Sequence, residues 1–370
     1  MGALTVFAFA CLAIYAALMI FFSSSKKLSA THDVIATQTV SIVIVARNES
    51  PNLELLFHTL SQQDYPHELI ELLLFDDNST DDTFSLATDL SKTFPFSVKI
   101  FSGAELFIEG KKLAQSFLVS EAKGELLLFS DADVSFQPNW VSSTVLLFHD
   151  NSVNMVCGMV SFSNHQTLFG KLMALEFAAM VQTSLSAISK NFPFMCNAAN
   201  MAIRKNSYDS LQPEGEELKS GDDVFLLKSV LDSYGAKSIV ANYSSMVYTH
   251  SPKSFVEFIL QRIRWAGKSS KVFFLNSFVL SLLVFLLSLL MVILWVLSFW
   301  NADFLAISIV FGIKWLVDLS VLWNCQKLQP LFRGWIMVSA LLSLFYPLYV
   351  ATIALLSLKK TYLWKGRIVR

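Results

Sequence analysis

Apolar residues in this chain occur in two kinds of run. Long runs stand at the ends: Gly2–Phe22, 21 residues without a charge, then Val272–Trp300, Phe304–Trp323 and Trp335–Leu358. About 20 apolar residues span a hydrocarbon core of ~30 Å, so these four read as membrane segments. Between them the runs are short. Val40–Ala46 (VSIVIVA) is β-branched with no polar break, the pattern of a parallel strand covered on both faces. Ile70–Phe75, Ser97–Phe101 and Glu125–Phe129 read the same way. Helical patterns over Pro51–Gln62 and Lys111–Ala122 separate them, and another helix is expected to start near Thr80 or Asp81. Strand and helix alternate, which predicts an α/β domain with a doubly wound, mostly parallel sheet.

Composition supports a split between lipid and water. Hydrophobic residues make up 54% and charged residues 15%, against about 25% charged in ordinary soluble domains. Twenty-eight basic and 29 acidic residues leave a net charge of -1, which argues against a nucleic-acid partner held by a basic surface. The four cysteines have no CxxC spacing, so neither a zinc site nor a disulfide framework is expected. Lys26-Lys27 follow the first apolar run and no basic stretch precedes it. That favours an uncleaved anchor over a signal peptide, with the following domain in the cytoplasm.

The membrane pattern carries one conflict. Three full crossings after a cytoplasmic domain would place the tail 359–370 outside, yet this tail has Lys and Arg and no acid. One apolar segment is therefore expected to be re-entrant or interfacial, and the last, interrupted by Pro347, is the candidate. Lys314 and Asp318 lie four apart inside the second tail segment and are expected to form a neutralised pair.

Candidate chemistry sits where apolar runs stop. Ligands of doubly wound sheets bind at the carboxyl ends of the strands, and two acidic clusters occupy such ends. Asp131 and Asp133 follow the Glu125–Phe129 run. On an extended backbone they would point to one side and hold a divalent cation. Asp76 and Asp77 end the Ile70–Phe75 run, as candidates for contacting a nucleotide base or ribose, while Asp81 and Asp82 fit a helix N-cap. Asp222 and Asp223, after Gly221, precede a predicted helix as cap or general base. Gln261, Arg264 and Trp265 share one helix face, which either lies at the membrane interface or closes over a ligand. Neither GxGxxG after the first strand nor GxxxxGK[ST] occurs, so a phosphate-bearing ligand needs another counter-charge.

Taken in order, VSIVIVARNES, DDNST, GKK, DAD, GDD and QRIRW before apolar helices resemble the membrane-integrated family 2 glycosyltransferases. That group includes ceramide glucosyltransferases, other lipid glycosyltransferases and polysaccharide synthases. The resemblance covers residues 38–270 by motif. It implies a GT-A domain over 38–252, an N-terminal anchor over 1–25, an interfacial helix over 253–270, membrane segments over 271–358 and a basic tail. By the same resemblance Arg47, Glu49, Asp76, Asp77 and Lys111 line the donor site. Asp131 and Asp133 bind Mg²⁺ or Mn²⁺ and the diphosphate, and Gln261, Arg264 and Trp265 close on the donor. Asp223 matches the catalytic base, with Asp222 as second candidate because Gly221-Asp222 replaces the usual preceding pair. Asn197-Ala198-Ala199-Asn200 stands where the family has an acceptor-side G-A-N. The implied reaction moves a sugar, with inversion, from a nucleotide sugar (a UDP-sugar is expected) to a membrane lipid. A processive polysaccharide synthase is the alternative, and a bacterial inner membrane the expected location.

Overall fold

The computed structural model describes residues 2–23, 37–163, 167–211, 222–269, 275–301, 304–328, 336–358, 362–364 and 367–369. The first apolar run is helix α1 (Gly2–Ser23). The alternating region follows as β1 (Val40–Ala46), α2 (Ser50–Ser61), β2 (Ile70–Asp76), α3 (Thr83–Ser91), β3 (Ser97–Ser102), the short α4 (Gly103–Leu106), α5 (Lys111–Glu121) and β4 (Leu126–Asp131). Past β4 come β5 (Val134–Phe136), α6 (Trp140–Leu147), β6 (Met155–Phe162), the long α7 (Leu168–Ile188) and β7 (Met201–Arg204). Then follow α8 (Lys205–Ser210), α9 (Asp222–Tyr234), β8 (Ile239–Thr249) and α10 (Phe255–Ser269). Helices α11 (Leu275–Asn301), α12 (Phe304–Leu328) and α13 (Ile336–Ser357) precede a hairpin of β9 (Tyr362–Trp364) and β10 (Arg367–Val369).

Eight strands form one sheet in the order β3-β2-β1-β4-β7-β6-β8-β5. The first four are mutually parallel. β7 runs antiparallel to β4 and β6, β6 and β8 are parallel, and β5 closes antiparallel on β8. The α/β class and the parallel half are legible in the sequence because β1, β2 and β4 are buried almost throughout. β7 has four residues and β5 three, too few to display a period. Helix α3 starts at Thr83, past the expected Thr80 or Asp81. Asp81 instead accepts hydrogen bonds from the Thr83 and Ser50 N–H groups and hydroxyls, and so ties the start of α3 to the start of α2.

Among the described residues three helical stretches, Gly2–Ser23, Leu275–Phe299 and Phe304–Asn324, are long and apolar enough to cross a membrane; α13 is a helix of 22 residues whose stretch Ser343–Ser357 is apolar and which contains Pro347. Leu12, Leu287, Met291 and Val310 bury between these helices, while Ile14, Phe299 and Leu305 face outward, as lipid-facing residues do. Helix α7 joins the two parts. Its Phe177 stacks on Phe162 of β6 with centroids 4.4 Å apart, and its Ala187 belongs to the core of the membrane helices. Such a ring pair adds about 0.5–1.5 kcal/mol beyond its burial. A helix apolar on both sides is what a joint between two cores requires.

Candidate active site

Parallel pairing aligns the carboxyl ends of four strands. Ser102 lies opposite Asp76, Asp76 opposite Ala46, and Val45 opposite Asp131. Strand order reverses between β1 and β4, and the crevice outside such a switch point is where open α/β sheets receive ligands.

The side chains there form a linked series. Arg47, the first residue past β1, donates from Nη1 to the carbonyls of Asp77 (2.7 Å) and Asn78 (3.1 Å). Asp77, fully buried, accepts at Oδ1 the N–H of Gly110 at 2.8 Å. Gly110 has φ +100°, a left-handed value that a side chain would strain, and it precedes α5. The next residue, Lys111, forms an ion pair with Asp131. The positive group beside the acid pair thus comes from α5. Glu49 is buried and accepts from the Asn52 side chain, while its own N–H donates to Thr83 Oγ1 at 2.8 Å. It braces the loop after β1.

Asp76 differs from its neighbour. It is 4% exposed, its Oδ2 accepts the Ser79 N–H at 3.2 Å, and its buried Oδ1 has no hydrogen-bond partner among the described residues. A buried acceptor without a donor is costly. A ligand N–H or O–H would satisfy this oxygen only where local rearrangement uncovers it. Asp81, nearby, has its carboxyl held below the usual value: partial burial pushes it up, but the hydrogen bonds from Thr83 and Ser50 outweigh that.

The D-x-D geometry differs from the expectation. Asp131 ends β4, Ala132 and Asp133 form a turn, and β5 begins at Val134. The two acids are not alternate residues of one extended strand, because β4 is central and β5 lies at the sheet edge. Asp133 accepts from Thr249 Oγ1 at 3.3 Å, at the end of β8 just before α10. Two carboxylates plus a diphosphate form an all-oxygen donor set that suits Mg²⁺ or Mn²⁺. No cluster of three or more His, Cys, Asp or Glu able to hold a metal occurs among the described residues, so substrate or water would complete the shell.

Asp223 reaches this edge through the segment before β7. Its carbonyl accepts from Cys196 Sγ at 3.3 Å, and Ala199, three residues on, accepts the Ser130 hydroxyl at 2.7 Å next to Asp131. Gly221 and the side chain of Asp222 lie outside the described residues. Asn200 plays a structural part. Its amide donates to the Met159 carbonyl (2.8 Å) and accepts from Trp140 Nε1 (2.9 Å). It packs so closely on Gly158 that a Cβ there would meet it at 2.3 Å. Asn197 accepts the Ala199 N–H at 3.0 Å.

Gln261, Arg264 and Trp265 share α10 as expected. Sequence reasoning missed their neighbour Arg262, which is 5% exposed and pairs with Glu176 of α7. Its guanidinium lies 4.3 Å from the Trp265 ring centroid and 4.7 Å from that of Phe258. Burial alone would lower its pKa, yet Glu176 holds it above the ordinary value. Gln261 Oε1 accepts from Arg262 Nη1 at 2.8 Å. The available signal was Glu176 itself, a lone acid within an apolar helix.

Against known sequences, the profile of glycosyl transferase family 2 matches residues 41–211, from the start of β1 to just past α8. Residues 41–211 form a family 2 glycosyltransferase domain. The chain is 24% identical over 242 residues to glycosyltransferase AglE of Haloferax volcanii, covering 64% of this chain and 75% of that one. It is also 24% identical over 230 residues to a β-monoglucosyldiacylglycerol synthase of Nostoc sp., covering 61% of this chain and about half (48%) of that protein. Among solved structures it resembles a mannosyltransferase of Pyrobaculum calidifontis in complex with GDP-mannose and Mn²⁺. The TM-score is 0.60 at 16% identity, with 96% of this chain and 97% of that one covered. That likeness bears on the fold, which is GT-A with membrane helices.

Proposed function

We propose that the protein is an inverting glycosyltransferase that moves a sugar from a UDP-sugar to a membrane lipid at the cytoplasmic face of the membrane. The observation that supports this reading is the meeting of Asp76, Lys111 and Asp131 at the switch point of the sheet, with the 196–199 segment linking the Asp223 backbone to Ser130 beside Asp131. A lipid acceptor is supported by the fusion of that domain to membrane helices through α7, and by the glycolipid synthase among its relatives. If α1, α11 and α12 are the crossings and α13 is interfacial, the basic tail falls on the same side as the sheet, in accord with the positive-inside tendency.

In this mechanism Asp76 accepts a hydrogen bond from the base or ribose at its unsatisfied oxygen, and Lys111 sets positive charge beside the diphosphate. Asp131 and Asp133 would hold Mg²⁺ or Mn²⁺, which neutralises charge on the leaving nucleotide when bound. Asp223 takes the proton of the acceptor hydroxyl while its oxygen attacks the anomeric carbon. The nucleoside diphosphate departs from the opposite face. Gln261, Arg264 and Trp265 enclose the donor from α10, with Trp265 oriented by Arg262. The test incubates membranes containing the protein with a panel of nucleotide sugars, GDP-mannose included, with and without EDTA. Metal-dependent UDP release together with a defined glycolipid in the organic phase is expected. No release from any donor would overturn the reading, and a long polymer would favour a processive synthase.

A further inference from the structure

The membrane helices enclose a cavity of about 700 Å³, walled by α1, α7, α10, α11, α12 and α13. That size lies within the ~300–1,000 Å³ of ligand sites. Its wall is overwhelmingly apolar, with Met173, Val284, Leu287 and Tyr346 among its residues. Its polar side chains contribute little of the wall's surface, and the charged ones are already paired. Lys314, 3% exposed, pairs with Asp318, which also accepts the Tyr15 hydroxyl at 2.7 Å. Glu176 pairs with Arg262. Lys314 and Glu176 are bridged by two rings of α13: Lys314 lies 4.8 Å from the Tyr346 centroid, and Tyr349, 5.6 Å from Tyr346, reaches Glu176 with its hydroxyl at 3.5 Å. Another wall residue, Trp315, has its indole N–H buried without an acceptor among the described residues.

We propose that this cavity is the chamber for the acceptor lipid, and that the lipid it accepts is an uncharged alcohol rather than a lipid phosphate. The proposal rests on the reading above and names its substrate class. Among the described wall residues no cation is left over to balance a phosphate, and an unpaired charge in an apolar chamber is expensive. A hydroxyl or ester oxygen instead gives the Trp315 N–H an acceptor after a small ring shift, without breaking either ion pair.

The route to the base is short. Phe194 is part of the wall, and Cys196, two residues on, contacts the Asp223 carbonyl at 3.3 Å. In this proposal a chain resting against α11 and α12 presents its head group along the 194–196 segment toward the residue assigned to deprotonate it.

The test uses the full chain in nanodiscs and measures retention of 1,2-dioleoylglycerol, ceramide and undecaprenyl phosphate by native mass spectrometry. UDP binding and the unfolding midpoint are followed in parallel. Saturable binding of dioleoylglycerol or ceramide is expected, weakened about tenfold or more by Val284→Trp, or by Leu287→Trp should the first variant fail to fold, with UDP binding unchanged. Undecaprenyl phosphate binding as tightly as the neutral lipids would overturn the proposal. Neutral-lipid binding indifferent to both substitutions would do the same. If dioleoylglycerol fills the chamber but no lipid is glycosylated from any donor, the transferase reading fails and the chamber stands.

Discussion

Two charged constellations in this molecule are built on opposite rules. At the carboxyl edge of the sheet, Asp77 accepts the Gly110 N–H, Asp131 pairs with Lys111, and one Asp76 oxygen has no donor among the described residues. Among the membrane helices, Arg262 answers Glu176 and Lys314 answers Asp318. The edge leaves a buried acceptor unsatisfied among the described residues. The bundle neutralises its charges internally, as groups removed from water must. One is organised for an ionic guest and the other for a neutral one.

The sharpest way to break this contrast is at Asp223. Asp223→Asn should lower transfer by about 10²–10⁴-fold while donor binding, read by calorimetry, stays intact. Near-normal turnover would remove Asp223 from the base role. Asp131→Asn or Asp133→Asn should cost about 10²–10³-fold in rate and abolish the sensitivity to EDTA. A variant that loses activity yet still responds to EDTA would place the metal elsewhere.

How far the sequence discloses each constellation follows from where the partners lie. The edge is legible because each apolar strand stops at its acids, so Asp76 and Asp131 announce themselves within a few residues, while Lys111, at the start of α5, is named only through the family resemblance. The turn that takes Asp133 off β4 is not legible, since three residues of β5 carry no period. The bundle constellation is half legible. Lys314 and Asp318, one helical turn apart, invite pairing by their spacing and are paired in the structure. Arg262 and Glu176 are 86 positions apart, and local pattern points to Arg264 on the same helix. Only the packing of α10 on α7 makes Arg262 the buried one.

That pair supplies the third measurement. Arg262→Met leaves Glu176 as an unpaired, largely buried charge and should destabilise the protein by about 3–5 kcal/mol, seen as a lower unfolding midpoint in detergent. Arg262→Met with Glu176→Leu should recover most of the loss. If the double variant is no better than the single, the pair is not a closed unit. The smallest effect belongs to Asp81, a carboxylate of the edge loops with a structural role. Its folded pKa lies below the ordinary 3.8 of an aspartate. Its contribution to stability is therefore complete above that value and is lost as pH falls through the lower folded one. Asp81→Asn should flatten the acid limb of the stability curve below about pH 4 and leave metal dependence untouched.

The loop from Phe192 to Asn200 has one more consequence. Pro193 and Phe194 give their carbonyls to Asn276 and Ser277 at the head of α11, while Cys196 and Ala199 contact Asp223 and the D-x-D strand. For protein engineering this means that the chain offers no clean cut between catalyst and anchor. A soluble fragment ending before Leu275 would strip the donors from the loop on which Asp223 rests. The membrane part is masonry in the active-site wall as well as a mooring.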